Sequence, residues 1–302
     1  MRLADVRGWL SRRPAAVPPP VPPAVPPRRR ADPTPPVPEP EPDAGPWPPA
    51  RIALTNRLWG EGFTVPGGAE DVLRLATPLG LSAASSLLLV GCGAGGPARC
   101  IATLFGAWVA GYESDPALAA EAATVCARAG LGKRVRIDTW DPAAPAFPPN
   151  SCHHVLALDP FRHGAPRPIL DGLTRALRTG GQITLLATVA GPGYDPAAEE
   201  TAAWLRLDGG LPGLPTQDVL TQALAGRRFD VRVIEDLSAQ HMHQTVRAWR
   251  SLVHGLGDAG GRPPVALAGA LVREAELWLR RARLIRTGGL RWVRWHAMAR
   301  SG

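Results

Sequence analysis

The stretch Leu87 to Pro116, LLLVGCGAGGPARCIATLFGAWVAGYESDP, narrows the choice of fold more than any other part of the chain. An apolar run, Leu87–Val90, leads into Gly91-Cys92-Gly93-Ala94-Gly95-Gly96; a helical segment opened by Pro97 follows, and a second apolar run stops at Glu113. Glycines at such a turn let the backbone take φ > 0 and let a ligand approach without meeting a Cβ. An acid about twenty residues on stands where a ribose diol can be hydrogen-bonded. Strand, glycine turn, helix, strand and acid together form the nucleotide-cofactor half of an α/β domain. Gly91, Gly93 and Gly96 also satisfy GxGxxG, so at this level an NAD(P)-linked oxidoreductase is an open reading.

The alternation continues down the chain. Asp115-Pro116 reads as a cap and first-turn proline for a helix to Ala129, ended by Gly130. A third strand is expected at Val135–Ile137 and a fourth at Val155–Leu158, then a helix at Pro168–Leu177, a tight turn at Thr179-Gly180-Gly181 and a fifth strand at Gln182–Val189. Alternation of this kind implies a parallel sheet with ligand groups at the carboxyl ends of its strands. Beyond Gly191 helices are expected at Ala197–Arg206, Thr216–Leu224, Thr245–His254 and Pro264–Arg286, with a sixth strand at Phe229–Ile234. In the last of these helices Leu267, Leu271, Ala275, Leu279 and Ala282 share a face, and Glu276 is spaced to pair with Arg280. Leu290–Ala299 alternates with a period of two, as a closing strand does. Ahead of the first strand come Leu54–Leu58, the glycine-rich loop Trp59–Gly68 and a helix at Ala69–Leu79; the loop reads either as a cover over a ligand or as an ordinary helix connection.

Half of the 34 prolines lie before residue 50, which sets residues 1–46 apart as a disordered, polyproline II tail: a spacer, or an SH3-type ligand for a protein partner. Residues 47–302 are expected to form one domain, with helical insertions on the substrate side over 190–290. The net charge of +8 is carried by arginines spread through tail, helices and last strand, without the single stripe that binding to nucleic acid requires. No apolar run reaches membrane-span length, and Met1–Arg13 lacks the apolar core of a signal peptide. Cys92, Cys100, Cys126 and Cys152 form no CxxC pair and read as free thiols of a cytoplasmic protein; the histidines show no metal-ligand spacing, so no metal is expected.

Acids recur at strand ends: Glu113 after the second strand, Asp141 after the third, Asp159 after the fourth. With VGCGAGGPA, GYESDP, the Asp141-Pro142 turn, ALDPFRH and RALRTGGQITL in this order, the chain resembles the class I S-adenosylmethionine-dependent methyltransferases from Trp47 to about Val189. LWGEGFTVPGG, DLSAQHMHQTVRAW and RWVRWHAMA look like the phosphoethanolamine N-methyltransferase group within that class. The resemblance implies a Rossmann-like, seven-stranded sheet with helices on both faces and S-adenosylmethionine as cofactor. It places Gly91, Gly93 and Gly95 under the methionine part, Glu113 on the ribose hydroxyls, and Asp141 with Pro142 at the adenine. Asp159 and His163 match the positions of an aspartate and a catalytic histidine, which makes His163 the candidate for proton handling.

The departures from the group are specific. Its tyrosine falls on Trp47, its phosphate-gripping pair falls in Gly209 to Leu211, Leu89 replaces an acid just before the glycine turn, and His153 replaces an aspartate. Phosphoethanolamine is therefore not expected as substrate. Trp47, Trp59 and Phe63 would supply an aromatic wall for a cationic amine. The sequence reading is a methyltransferase of a small molecule, at the nitrogen of an amine, with a non-catalytic binding or scaffold protein of the same fold as its alternative.

Overall fold

The computed structural model describes residues 45–258 and 265–300; nearly all of the tail expected over 1–46 lies outside them. Seven strands form one sheet in the order β3-β2-β1-β4-β5-β7-β6. They are β1 (Ser86–Val90), β2 (Trp108–Glu113), β3 (Val135–Thr139), β4 (Cys152–Leu158), β5 (Leu177–Ala190), β6 (Phe229–Asp236) and β7 (Leu290–Ala299). The first five are parallel neighbours, and β7 inserts antiparallel between β5 and β6. This is the class I methyltransferase topology expected from the sequence. The chain order reverses direction at β1 and β4, so the cleft at their carboxyl ends is the natural place for a ligand.

Helices cover the sheet: α1 (Pro49–Trp59), α2 (Gly68–Ala76), α3 (Gly96–Phe105), α4 (Pro116–Arg128), α5 (Pro166–Ala176), α6 (Glu199–Asp208), α7 (Gln217–Ala225), α8 (Ser238–Asp258) and α9 (Val265–Arg286). On one face Leu87 and Leu89 of β1 pack with Leu54, Leu75, Ile101, Trp249 and Trp278; on the other Leu88 and Val90 pack with Ile169, Leu173, Leu220 and Trp295. Burial on both faces explains why β1 reads as an unbroken apolar run instead of an alternating one.

Asp115 caps α4 as expected, its carboxylate accepting from the N–H groups of Ala117 and Leu118. The predicted turn at Thr179–Gly181 does not end an element. It lies inside β5 as a bulge, with the pairing stepping from Cys152↔Leu177 to His154↔Gln182 around Gly180 at φ 73°. Helix α8 starts seven residues before the predicted Thr245, because Asp236 accepts from the Ser238 N–H and starts the first turn there. No described helix is long and apolar enough to cross a membrane.

Candidate active site

A cavity of about 380 Å³ opens at the carboxyl ends of the central strands. Its floor starts at Gly91, whose φ is 75°; a Cβ there would lie 2.1 Å from the Leu158 carbonyl oxygen, so only glycine lets the end of β1 sit against the end of β4. Two residues on, the Gly93 N–H donates to Glu113 Oε2 at 2.8 Å, while Ser114 N–H donates to Oε1 at 2.9 Å. Glu113 is 7% exposed yet lines the cavity. Burial raises its carboxyl above the usual range, and the backbone N–H groups of Gly93, Asp115 and Ser114 pull the other way by favouring the charged form. Oε1 also accepts from the Ser114 hydroxyl and the Asp115 N–H, both at 3.3 Å, whereas Oε2 accepts from Gly93 alone and keeps a lone pair for an incoming hydroxyl.

Gly93 and Gly95 do not line the cavity; they brace the turn. A Cβ on Gly93 would meet the Thr64 hydroxyl at 3.0 Å, and one on Gly95 would meet Ala122 of α4 at 2.8 Å. Over the turn lies the Gly60–Phe63 loop: Gly96 N–H donates to the Gly62 carbonyl at 2.9 Å, and Gly62 N–H donates to Asn56 Oδ1 at 2.8 Å. The glycine-rich loop ahead of β1 is thus seated directly on the glycine turn after it.

After β3, Asp141 is exposed and binds its own turn, Oδ1 accepting from the Ala143 N–H at 2.8 Å. Its neighbours Trp140 and Pro142 line the cavity with Leu118, giving a flat apolar slot next to Glu113. Trp140 has no counterpart in the sequence reading, because one indole beside a turn carries no pattern. Leu89 is fully buried in the core and His153 Nδ1 accepts from the Ser86 N–H at 3.0 Å, so neither of these two departures touches the cavity.

The loop after β4 carries Asp159 and His163, both at the cavity. Asp159 holds φ 50°, a left-handed conformation that costs a non-glycine residue about 1 kcal/mol. Two hydrogen bonds offset it: Thr188 N–H donates to Oδ1 at 2.8 Å and Thr188 Oγ1–H to Oδ2 at 2.9 Å. The same hydroxyl oxygen accepts from Arg281 Nη2 at 2.9 Å, and Arg281 Nε donates to His241 Nε2 at 3.2 Å. That places His241 in its neutral form, and burial with the adjacent guanidinium holds it well below the usual imidazole range. His163 stands at the rim with its outer edge in solvent. Desolvation on its inner side lowers its pKa and Arg162 adds to this, against the Asp208 and Asp159 carboxylates. Arg162 is itself bound to Asp208, Nε to Oδ2 at 2.9 Å.

Of the three aromatics expected as a wall, Trp47 and Phe63 reach the cavity and Trp59 does not. Trp59 is 6% exposed and meets Trp278 edge-on at 5.0 Å inside the core. Trp47 has one face covered by the Arg51 guanidinium, 3.9 Å from the ring centroid. Arg51 is held by Glu274 Oε1 at 2.5 Å and by the Pro46 carbonyl at 2.7 Å, and Glu274 Oε2 accepts from Trp278 Nε1 at 3.0 Å. Glu274 and Arg281, seven residues apart, therefore lie on the buried side of α9; they flank the predicted apolar stripe, where two charged residues at heptad spacing were the one available signal. The predicted Glu276–Arg280 pair is present at 2.8 Å.

Residues 87–181 match a family model described as a methyltransferase domain. A sterol 24-C-methyltransferase of Yarrowia lipolytica is 30% identical over 172 residues, 55% of this chain and 44% of that one. A phosphoethanolamine N-methyltransferase of Triticum aestivum is 25% identical over 63% of this chain and 37% of its own. The chain spans less than half the length of these curated relatives. Phosphoethanolamine N-methyltransferase 2 of Haemonchus contortus, solved with phosphomonomethylethanolamine and S-adenosylhomocysteine, superposes with a TM-score of 0.71 at 20% identity, covering 82% of this chain and 57% of that one.

Proposed function

We propose, from the premise that the chain belongs to the class I S-adenosylmethionine-dependent methyltransferases, that it transfers the methyl group of that cofactor to a small molecule. The observation that carries this reading is Glu113: a nearly buried carboxylate, clamped by backbone N–H groups at the end of β2, facing a cavity shared with Asp159 and His163. The residues present fit the cofactor. A carboxylate whose Oε2 keeps a lone pair suits a ribose hydroxyl, the Trp140–Leu118–Pro142 slot suits a flat base, and Gly91 leaves its backbone bare at the cavity floor. Asp141 binds Ala143 through Oδ1 and keeps Oδ2 for the adenine amino group, though its neighbours Trp140 and Pro142, and not Asp141 itself, line the cavity.

The bound cofactor supplies a methyl group on a sulfonium centre, which is already electrophilic. What remains for the protein is to orient the acceptor toward it and exclude water. Phe63, Thr64, Val65 and Pro66 of the glycine-rich loop and Arg51 of α1 line the cavity and would serve that purpose. An amine nitrogen is the acceptor that the sequence resemblance implies. Such an acceptor reacts as its free base, its methylated nitrogen then sheds a proton, and His163, held below the usual imidazole range, stands at the cavity to take it up.

Calorimetry with S-adenosylhomocysteine on the purified protein tests the cofactor, with binding expected in the wild type and weakened about 10- to 100-fold in Glu113→Ala. Absence of binding by the wild type would sink the proposal. Transfer of a radiolabelled methyl group to any acceptor in a screen of amines, phenols and carboxylates separates an enzyme from a non-catalytic relative of the same fold.

A further inference from the structure

At the Trp47 end of the cavity the chain supplies its own cation. The Arg51 guanidinium lies 3.9 Å above the indole, 3% exposed, and three neighbours fix its position: Glu274, the Pro46 carbonyl and the ring itself. A guanidinium so placed holds the site that an ammonium ion would take on the electron-rich face of the ring. Among the described residues the carboxylate beside this guanidinium is Glu274, already paired with it, so no unpaired anion stands at the ring to receive a second positive charge; the cavity's other carboxylates, Glu113, Asp159, Asp208, Asp71 and Asp115, are bound at other points of the wall.

Resting on the methyltransferase reading, we propose that Arg51 is a specificity-determining residue, which by occupying the aromatic face of Trp47 excludes ammonium acceptors and admits acceptors that are uncharged or anionic at this end. An acceptor oxygen or neutral nitrogen at this end meets a fixed, planar donor; a quaternary or protonated amine meets a like charge in a low-dielectric wall, where repulsion is strongest. An amine substrate then binds only as its free base.

The test uses tetramethylammonium as probe, titrated into protein saturated with S-adenosylhomocysteine. Arg51→Gln with Glu274→Gln removes the cation and its buried counter-charge together and uncovers the indole. The expected result is binding about 2- to 30-fold tighter in the double variant than in the wild type, lost again when Trp47→Leu is added. Equal or weaker binding in the double variant, or none in either protein, overturns the proposal. Trp47→Leu in the wild-type background is a second arm that needs no uncovered face. Unchanged tetramethylammonium binding agrees with an indole already occupied, and a clear loss contradicts it. Binding of S-adenosylhomocysteine is measured on every variant, so failure of the wild type to bind it counts against the methyltransferase reading, and not against the role of Arg51.

Discussion

The strand-end side of the cavity and its helical side are built by different means. On the strand-end side the polar contacts are local: Gly93 to Glu113 spans 20 residues, and Ser114 bonds the residue before it. The donors are backbone groups, set by the turn itself. On the helical side Arg51 reaches Glu274 across 223 residues, Gln240 reaches Asp71 across 169, and Arg281 reaches Thr188 across 93. There the partners are long side chains from separate elements. A cofactor site made of backbone and one acid can keep its form while the acceptor wall, made of side-chain pairs, is rebuilt.

Four measurements press on this contrast. The largest effect is expected from Glu274→Ala, which leaves Arg51 as an unpaired buried cation and takes the acceptor from Trp278 Nε1. The loss should be about 3–5 kcal/mol in urea unfolding, whereas replacing Arg51 and Glu274 together by methionine should cost far less. A small loss for the single variant would mean that the helical side is not held by its pairs.

Next comes Glu113→Ala. Affinity for S-adenosylhomocysteine should fall about 10- to 100-fold, the equivalent of one charge-assisted hydrogen bond, with Glu113→Gln intermediate. If stability rather than affinity collapses, the carboxylate serves the turn and not a ligand.

Thr188→Val sharpens the boundary between the two sides, since Thr188 links Asp159 to Arg281. Turnover should drop about tenfold through loss of one charge-assisted bond, while affinity for S-adenosylhomocysteine stays as in the wild type. A matched loss of both would place Asp159 in the cofactor site.

The smallest effect concerns pH. His241 has a folded-state pKa well below its unfolded value of 6.5, so as pH falls through 6.5 the unfolded chain takes up a proton that the native state refuses. Stability should therefore decline below pH 6.5 with a slope of up to about 1.4 kcal/mol per pH unit from this group. His241→Gln should flatten the decline in pH-dependent thermal unfolding; an unchanged slope would show that the burial of His241 is not what the acid limb reads.

The same difference in range explains what could be read before the structure was known. The alternation of strands and helices, Glu113 and the glycine turn follow from short-range pattern, because each is fixed by residues within one strand–turn–helix unit, whereas the seven-stranded sheet comes with the family resemblance. Asp159 and His163 were reached through family resemblance, and the structure puts both at the cavity. Its support from Thr188 and Arg281 was not legible, since a threonine inside an apolar strand and an arginine on a helix full of arginines carry no local signal. Trp59 was misassigned to the ligand wall for a related reason: an aromatic in a glycine-rich loop looks alike in sequence whether it faces a ligand or the Trp278 ring. Trp47 does line the cavity, but nothing near it in sequence reveals that Arg51 covers it.

The Arg51–Glu274 pair has a consequence for synthesis. Arg51 leaves the ribosome well ahead of its counter-charge, and at 5–20 residues per second the 223 intervening residues take roughly 10 to 45 s to appear. Through that interval α1 has a cation and an apolar face with no completed site to receive them. The helix made first among those described is the one whose docking waits for α9, so the nascent chain carries Leu54 and Leu58 of α1 without their α9 partner until Val265–Arg286 has emerged. It is there that a chaperone holding the growing chain would find its longest-lived target.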